Sequence, residues 1–145
     1  MEKVAAVGCP GVGEEEFAKE LSKKTGIPYY DMSEALKIKD KDFAENIPFS
    51  DKIQKITKKP AWITNGNYKE NIEDSDTVFF FDFSPRTCID IIRKKPDCKI
   101  TWSVIMRYDM DVRPGIIKVL DKYRECKEII VFNSIAQAVE YINAR

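Results

Sequence analysis

The sequence predicts an α/β protein, a parallel β-sheet covered by helices on both faces in three α/β/α layers, and three observations predict it. Short apolar runs alternate with amphipathic helical stretches along the chain. A glycine-rich turn separates the first apolar run from the first helix. The 145 residues, 43% of them hydrophobic, supply one core of ordinary size and too little for two. Parallel neighbours require crossover connections, and the helical stretches between the strands provide them. One domain spanning residues 1–145 is expected, without internal repeats, linkers or low-complexity tracts.

Val4-Ala5-Ala6-Val7 is a strand ending in Gly8. From Glu14 to Thr25 the pattern is helical, with Phe17, Ala18 and Leu21 on one face and Gly26 as the stop. Ile27 to Tyr30 reads as a second strand, followed by polar sequence with short helical pieces at Ser33 to Lys39 and Asp51 to Lys59, the latter ended by Pro60. Ala61 to Thr64 is a third strand, cut off by Asn65-Gly66-Asn67. Thr77 to Phe83 is a fourth, bounded by Ser84-Pro85, with the proline placed to start a helix buried through Cys88, Ile89, Ile91 and Ile92. Trp102, Ile105 and Met106 suggest another helix, and Ile116, Ile117, Val119, Leu120 and Tyr123 a further one from about Arg113-Pro114. Glu128 to Phe132 is the fifth strand; Ile135, Ala138, Val139 and Ile142 then mark one face of a terminal helix.

Composition removes whole classes of chemistry. The chain has no histidine, which excludes Ser-His and Cys-His catalysis, imidazole bases and histidine-ligated zinc. Lysine plus arginine (24) balances aspartate plus glutamate (24), which argues against nucleic-acid binding through bulk positive charge. Cys9, Cys88, Cys98 and Cys126 form no C-x-x-C pair, and the opening Met1-Glu2-Lys3 runs straight into a strand, so a reduced, cytoplasmic protein is expected. The apolar stretch Val78 to Phe83 is interrupted by Asp82 and is far shorter than the ~18 residues of a membrane span.

Gly8-Cys9-Pro10-Gly11-Val12-Gly13 lies where such a sheet binds ligands, at the carboxyl end of a strand. Its spacing is not the dinucleotide G-x-G-x-x-G; Gly8 and Gly13 instead frame the phosphate loop G-x-x-x-x-G-K-S/T. In that motif the lysine reaches the β- and γ-phosphates and the hydroxyl holds magnesium. Glu14 and Glu15 occupy those positions here, with Glu16 behind them. A unit charge ~4 Å from another is worth about 4 kcal/mol at an effective dielectric near 20, so exchanging lysine for glutamate opposes a phosphate by orders of magnitude in affinity. The three glutamates complement their own helix dipole, the electrostatic role a phosphate would have filled.

The segments V-A-A-V-G-C-P-G-V-G, A-K-E-L, W-I-T-N-G-N-Y and S-D-T-V-F-F-F-D-F-S-P-R-T-C, followed by Trp102 to Tyr108, Arg113-Pro114 and the closing strand and helix, resemble the adenylate-kinase-like P-loop proteins of the DNA topology modulation family. The resemblance covers most of the chain. It implies a five-stranded sheet in the order 2-3-1-4-5 and, for intact members, nucleotide binding and phosphate transfer to a small acceptor. The departures fall on the chemistry. Besides Glu14 and Glu15, the aspartate of the family's W-I-x-D-G-N-Y is Asn65, a weaker magnesium partner. The arginine after G-N-Y is absent from Lys69 to Asp74, and the arginine-bearing lid is shortened to residues 93–100. Phosphoryl transfer depends on positive charge and positioning around the phosphates, so a degenerate Walker A motif and a pseudoenzyme follow.

Asp82 stands where a Walker-B aspartate would, or serves as a turn residue before Ser84-Pro85. Arg86 is expected to pair with Asp82 or another carboxylate, and Arg107 and Arg113 are either surface residues or remnants of phosphate-facing arginines. Glu14, Glu15, Glu16, Asp31 and Asp82 would suit a hard cation if they converged, but no metal site is assigned. Cys9 is expected to be a small buried filler whose thiol is pulled down by the helix terminus and up by the glutamates. Lys52, Lys55, Lys58, Lys59 and the Arg93-Lys94-Lys95 run are expected on solvated faces. The leading expectation is a kinase-like domain without phosphotransfer that binds a small molecule or a protein, with ATP and magnesium as cofactors only if the family activity is retained. The alternatives are a nucleotide or small-molecule kinase with a rearranged cation site and a nucleotide-sensing regulatory module.

Overall fold

The computed structural model describes residues 1–32 and 49–145, and side chains in the second stretch from residue 53 onward. Five parallel strands, β1 (Lys3–Gly8), β2 (Tyr29–Tyr30), β3 (Trp62–Asn65), β4 (Thr77–Phe81) and β5 (Glu128–Phe132), form one sheet in the order β2-β3-β1-β4-β5. Between and around them run α1 (Glu14–Thr25), α2 (Phe49–Thr57), α3 (Lys69–Asp74), α4 (Pro85–Arg93), α5 (Trp102–Arg107), α6 (Arg113–Tyr123) and α7 (Ile135–Asn143). The sheet order is the one the resemblance implied. The helical piece expected at Ser33 to Lys39 lies outside the described residues.

Alternation along β4 sends Phe79 and Phe81 to one face of the sheet and Phe80 to the other. On the first face Phe17 of α1 meets Phe79, Phe81 and Phe132 edge-on at centroid distances of 4.8, 5.4 and 5.4 Å, and Tyr141 of α7 closes the group at 5.1 Å from Phe79. Such edge-to-face pairs add roughly 0.5–1.5 kcal/mol each to the area they bury. A second cluster of Met32, Ile53, Ile56 and Trp62 packs against β3 near the β2 edge, with the Trp62 indole N–H donating to the Thr57 carbonyl.

Helices α4, α5 and α7 start on side-chain caps: Ser84, Thr101 and Ser134 accept from the amides of Thr87, Val104 and Gln137. Helix α1 starts on Gly13 with no side-chain cap. The two helices expected around Ile105 and Ile116 are joined by a π-helical stretch, Tyr108–Val112. Pro114 explains the widened turn, because proline cannot donate to the carbonyl four residues back and its ring crowds that carbonyl. The fourth strand stops at Phe81 rather than Phe83, since the Asp82 amide already turns to the carbonyls of Phe80 and Phe132. Only Tyr29 and Tyr30 of the second strand pair, in register with Ile63 and Thr64.

Candidate functional site

The carboxyl ends of β1, β3 and β4 meet at the glycine loop. Gly8 leaves β1 at φ 146° with its Cα beside Phe81; a Cβ there would fall 2.5 Å from the Phe81 carbonyl oxygen, so only glycine fits. Its peptide groups are held by one side chain. The Gly8 N–H donates to Asn67 Oδ1 at 2.9 Å and Asn67 Nδ2 donates to the Gly8 carbonyl at 2.8 Å. Gly11, at φ 82°, packs beneath Ile100, Ile92 and Cys98, a contact that a Cβ would push to 2.7 Å from Ile100 Cδ1.

The loop leads into the N-terminus of α1, a place that favours an anion. The anion it receives is its own. Glu14 turns back into the loop, and the Gly11 N–H donates to its Oε1 at 3.2 Å. Oε2 of the same carboxyl is buried and has no hydrogen-bond partner among the described residues. Burial holds the Glu14 pKa above its ordinary value of 4.5, against the pull of the backbone amides of Glu14 and Gly11. Glu15 and Glu16 face outward, Glu15 to Lys19 at 2.9 Å and Glu16 to Lys95 at 3.2 Å.

Lys95 departs from the expected solvated face. Its Nζ donates to the Gly11 carbonyl at 2.7 Å as well as to Glu16, so the short segment after α4 closes on the loop from outside. Asp82 is engaged too, by Arg113 and not by Arg86: Nε and Nη2 donate to its two carboxylate oxygens at 2.7 and 3.1 Å, a bidentate pair that raises the Arg113 pKa. Asn133 Nδ2 fixes the Asp82 carbonyl at 3.2 Å. Arg86 lies exposed on the first turn of α4, without an ion pair among the described residues. Asn65 is nearly buried and its Oδ1 accepts from the Met32 amide at 3.1 Å.

The carboxylates at 14, 15, 16, 31 and 82 do not converge; among the described residues no three potential ligands are placed to share a metal. Asp31 follows β2, half-buried. Cys9 and Val12 are fully buried under the loop. A hydrogen bond to Cys88, then burial, pushes the Cys9 thiol up, which overrides the expected pull of the helix terminus. That bond and the Phe83 carbonyl keep both thiols in structural contacts.

Between the loop and α5 lies a cavity of about 410 Å³, lined among others by Pro10, Glu14, Asn65, Tyr68, Arg107 and Tyr108. Arg107 and Arg113, which the sequence treats alike, flank the π-helical stretch and part there, one to the cavity and one to Asp82.

No protein-family model matches the sequence, and no curated protein does. Solved structures do. The chain is similar to a shikimate kinase from Bacteroides thetaiotaomicron at 13% identity and TM-score 0.58, covering 97% of this chain and 94% of that one. It is similar to a gluconokinase from Sinorhizobium meliloti 1021 at 10% identity and TM-score 0.63, covering 98% and 87%. A shikimate kinase from Acinetobacter baumannii, solved with shikimate, matches at 13% identity and TM-score 0.60, covering 99% and 90%. The fold is that of P-loop kinases.

Within that fold, three residues that sequence reasoning missed shape the site: Asn67, Lys95 and Tyr108. Asn67 had a local signal, since a loop-bounding glycine needs partners for its peptide groups and the asparagines after β3 end beside it. Lys95 had none, because its acceptor lies 84 positions away in the chain.

Proposed function

We propose that this is a P-loop kinase-like protein that does not transfer phosphate, binds ATP weakly or not at all, and works by binding a small molecule or a protein. One observation carries the reading: the Glu14 carboxyl sits inside the glycine loop and takes the Gly11 amide that a phosphate oxygen would need. The rest of the site agrees with it. Asp82 is neutralised by Arg113, the Asn65 carbonyl oxygen is spent on Met32, and Lys95, the cation nearest the loop, is bound to a loop carbonyl and to Glu16. ATP with magnesium does not fit these residues: the amide, the carboxylate and the cation it would use are each engaged within the chain. The similarity of the segments around the loop, Trp62 to Tyr68 and Asp82 to Cys88 to the DNA topology modulation proteins supports a degenerate member of that group, built as a single domain.

Thermal melting tests the reading. A ligand at a hundredfold excess over its Kd stabilises a fold by about 2.7 kcal/mol. ATP with magnesium at millimolar concentration is expected to leave the melting temperature unchanged. A rise of several degrees contradicts the proposal and favours a nucleotide-binding enzyme or sensor.

A further inference from the structure

Strand β5 ends the sheet and pairs with β4 alone, in a register that runs from Thr77 beside Glu128 to Phe81 beside Phe132. The Glu128 amide donates to the Asp76 carbonyl and the Phe132 carbonyl accepts from the Asp82 amide, so residues 128, 130 and 132 turn their peptide groups to β4. The alternation of a parallel ladder sends the N–H and C=O of Ile129 and Val131 outward, where they have no partner among the described residues. The next outward amide on either side is already used: the Lys127 N–H donates to the Tyr123 carbonyl at 3.0 Å and the Asn133 N–H to Gln137 Oε1 at 2.6 Å. The peptide groups of Ile129 and Val131 form a short free edge whose neighbouring amides are closed.

An open edge templates pairing with another strand, and proteins blunt it with lysine, proline, a bulge or extreme shortness. The opposite edge, β2, is two residues long. β5 has none of these protections: it reads E-I-I-V-F, its ladder with β4 runs through successive pairs without a bulge, and Val131 is 45% exposed. The free groups choose the occupant. Hydrogen-bonded residues of an antiparallel pair exchange both bonds with the residue directly opposite, so the partner must present two outward residues two positions apart. A second copy of β5 does so about a two-fold axis through Ile130. Ile129 then lies opposite Val131 of the second copy and Val131 opposite its Ile129, and every free group of both edges is used. On one face Ile130 meets Ile130, and on the other isoleucine meets valine, β-branched pairs that suit a pleated surface. Glu128, the one charge on the strand, falls opposite Phe132, and a chain of zero formal net charge meets its copy without overall repulsion. We propose that the protein forms a two-fold dimer through antiparallel β5–β5 pairing centred on Ile130, which joins the two sheets into one.

Sedimentation of the full chain tests it first. Between about 1 and 500 µM the mass should rise from one chain towards two, with a Kd on the order of 10–100 µM for so small an interface. Val131→Lys puts a charge on the edge, and Val131→Pro removes an outward amide but no bond to β4; both should fold by circular dichroism and weaken the dimer about tenfold or more. Cross-linking then reads the register, in a Cys126→Ser background because that thiol is exposed. Ile130→Cys should form a disulfide-linked dimer in air, since opposite residues of a non-hydrogen-bonded pair have Cα atoms ~4.5 Å apart, within disulfide range. Val131→Cys should not, although Val131 is the more exposed, because its two copies sit diagonally at ~7–8 Å. A chain that stays monomeric throughout overturns the inference and leaves the edge to a strand of another protein. A dimer that both Val131 variants leave unchanged, or one that cross-links at 131 and not at 130, overturns it as well.

Discussion

At the amino-terminal end of the sheet, Asp76 accepts from the amides of Glu2 and Lys3 at 2.9 and 2.8 Å and from the Thr77 hydroxyl at 2.7 Å, tying the starts of β1 and β4. Beside it Lys127 donates to the carbonyls of Glu73 and Ser75 and ties the end of α3 to the start of β5. At the carboxyl-terminal end Asp82 and Lys95 are paired as well, but the accounting fails. Among the described residues, Glu14 Oε2 and the Tyr108 hydroxyl are buried without partners, and Asn71 behind the Asn65 turn leaves its Oδ1 unpaired. One end uses backbone groups that exist only because the strands begin there. The other turns a carboxyl of its own helix onto the Gly11 amide, and the remainder is unsatisfied. A fold can keep the frame of a binding site while its own side chains occupy it, and orphaned polar atoms mark the place.

Substitutions at the two ends put this contrast to the test. The largest effect is expected at Gly8, where the strained conformation and the Phe81 carbonyl leave no room: Gly8→Ala should lower stability by about 3 kcal/mol or more in chemical denaturation. A neutral result there would mean that the loop is not held as described. At the opposite end Asp76→Asn should cost about 1 kcal/mol, since its bonds to the Glu2 and Lys3 amides are exposed and water replaces them in part.

The smallest effect is the most diagnostic, because the two carboxyls carry opposite pH signatures. Burial pushes Asp76 up, but its hydrogen bonds to Thr77, Lys3 and Glu2 outweigh that and hold its pKa below 3.8. Its contribution is therefore full above pH 3.8 and fades as the pH falls through the folded-state value. Glu14 is shifted the other way: the folded chain holds its proton more tightly, so stability is lost as pH rises from 4.5 through the raised value. The gap between the parent and Asp76→Asn should close in acid, while Glu14→Gln should gain on the parent as the pH rises. Melting temperatures measured across that range check both, and parallel curves for Glu14→Gln and the parent would show that the carboxyl is not buried in the loop.

Much of this architecture was legible in the sequence. The apolar runs of β1, β3, β4 and β5 and the faces of α1, α4 and α7 follow from periodicity, which reports burial directly. Less legible were α3, too short to show a period, and the π-helical stretch, where a helical pattern continues through a break in hydrogen bonding. The glycine frame and the misplaced glutamates were visible from spacing. The partners were not: Arg113 on Asp82 and Lys95 on Gly11 join residues 31 and 84 positions apart, and choosing Arg113 over Arg86 depends on where α6 returns to the sheet.

If Glu14 fills an anion site in the loop, its removal should open that site to ATP, which calorimetric titration of ATP with magnesium into the parent chain and into Glu14→Lys combined with Glu15→Ser would show. Removing the internal carboxyl and restoring a cation should swing the local interaction by several kcal/mol, since a single charge at ~4 Å is worth about 4 kcal/mol at a dielectric near 20. The parent should give no binding heat and the double variant a saturable isotherm, with little turnover because Asn65 and the short segment at 93–100 still hold neither magnesium nor the transferring phosphate. Equal affinity in the two proteins, or none in the folded double variant, would contradict the claim.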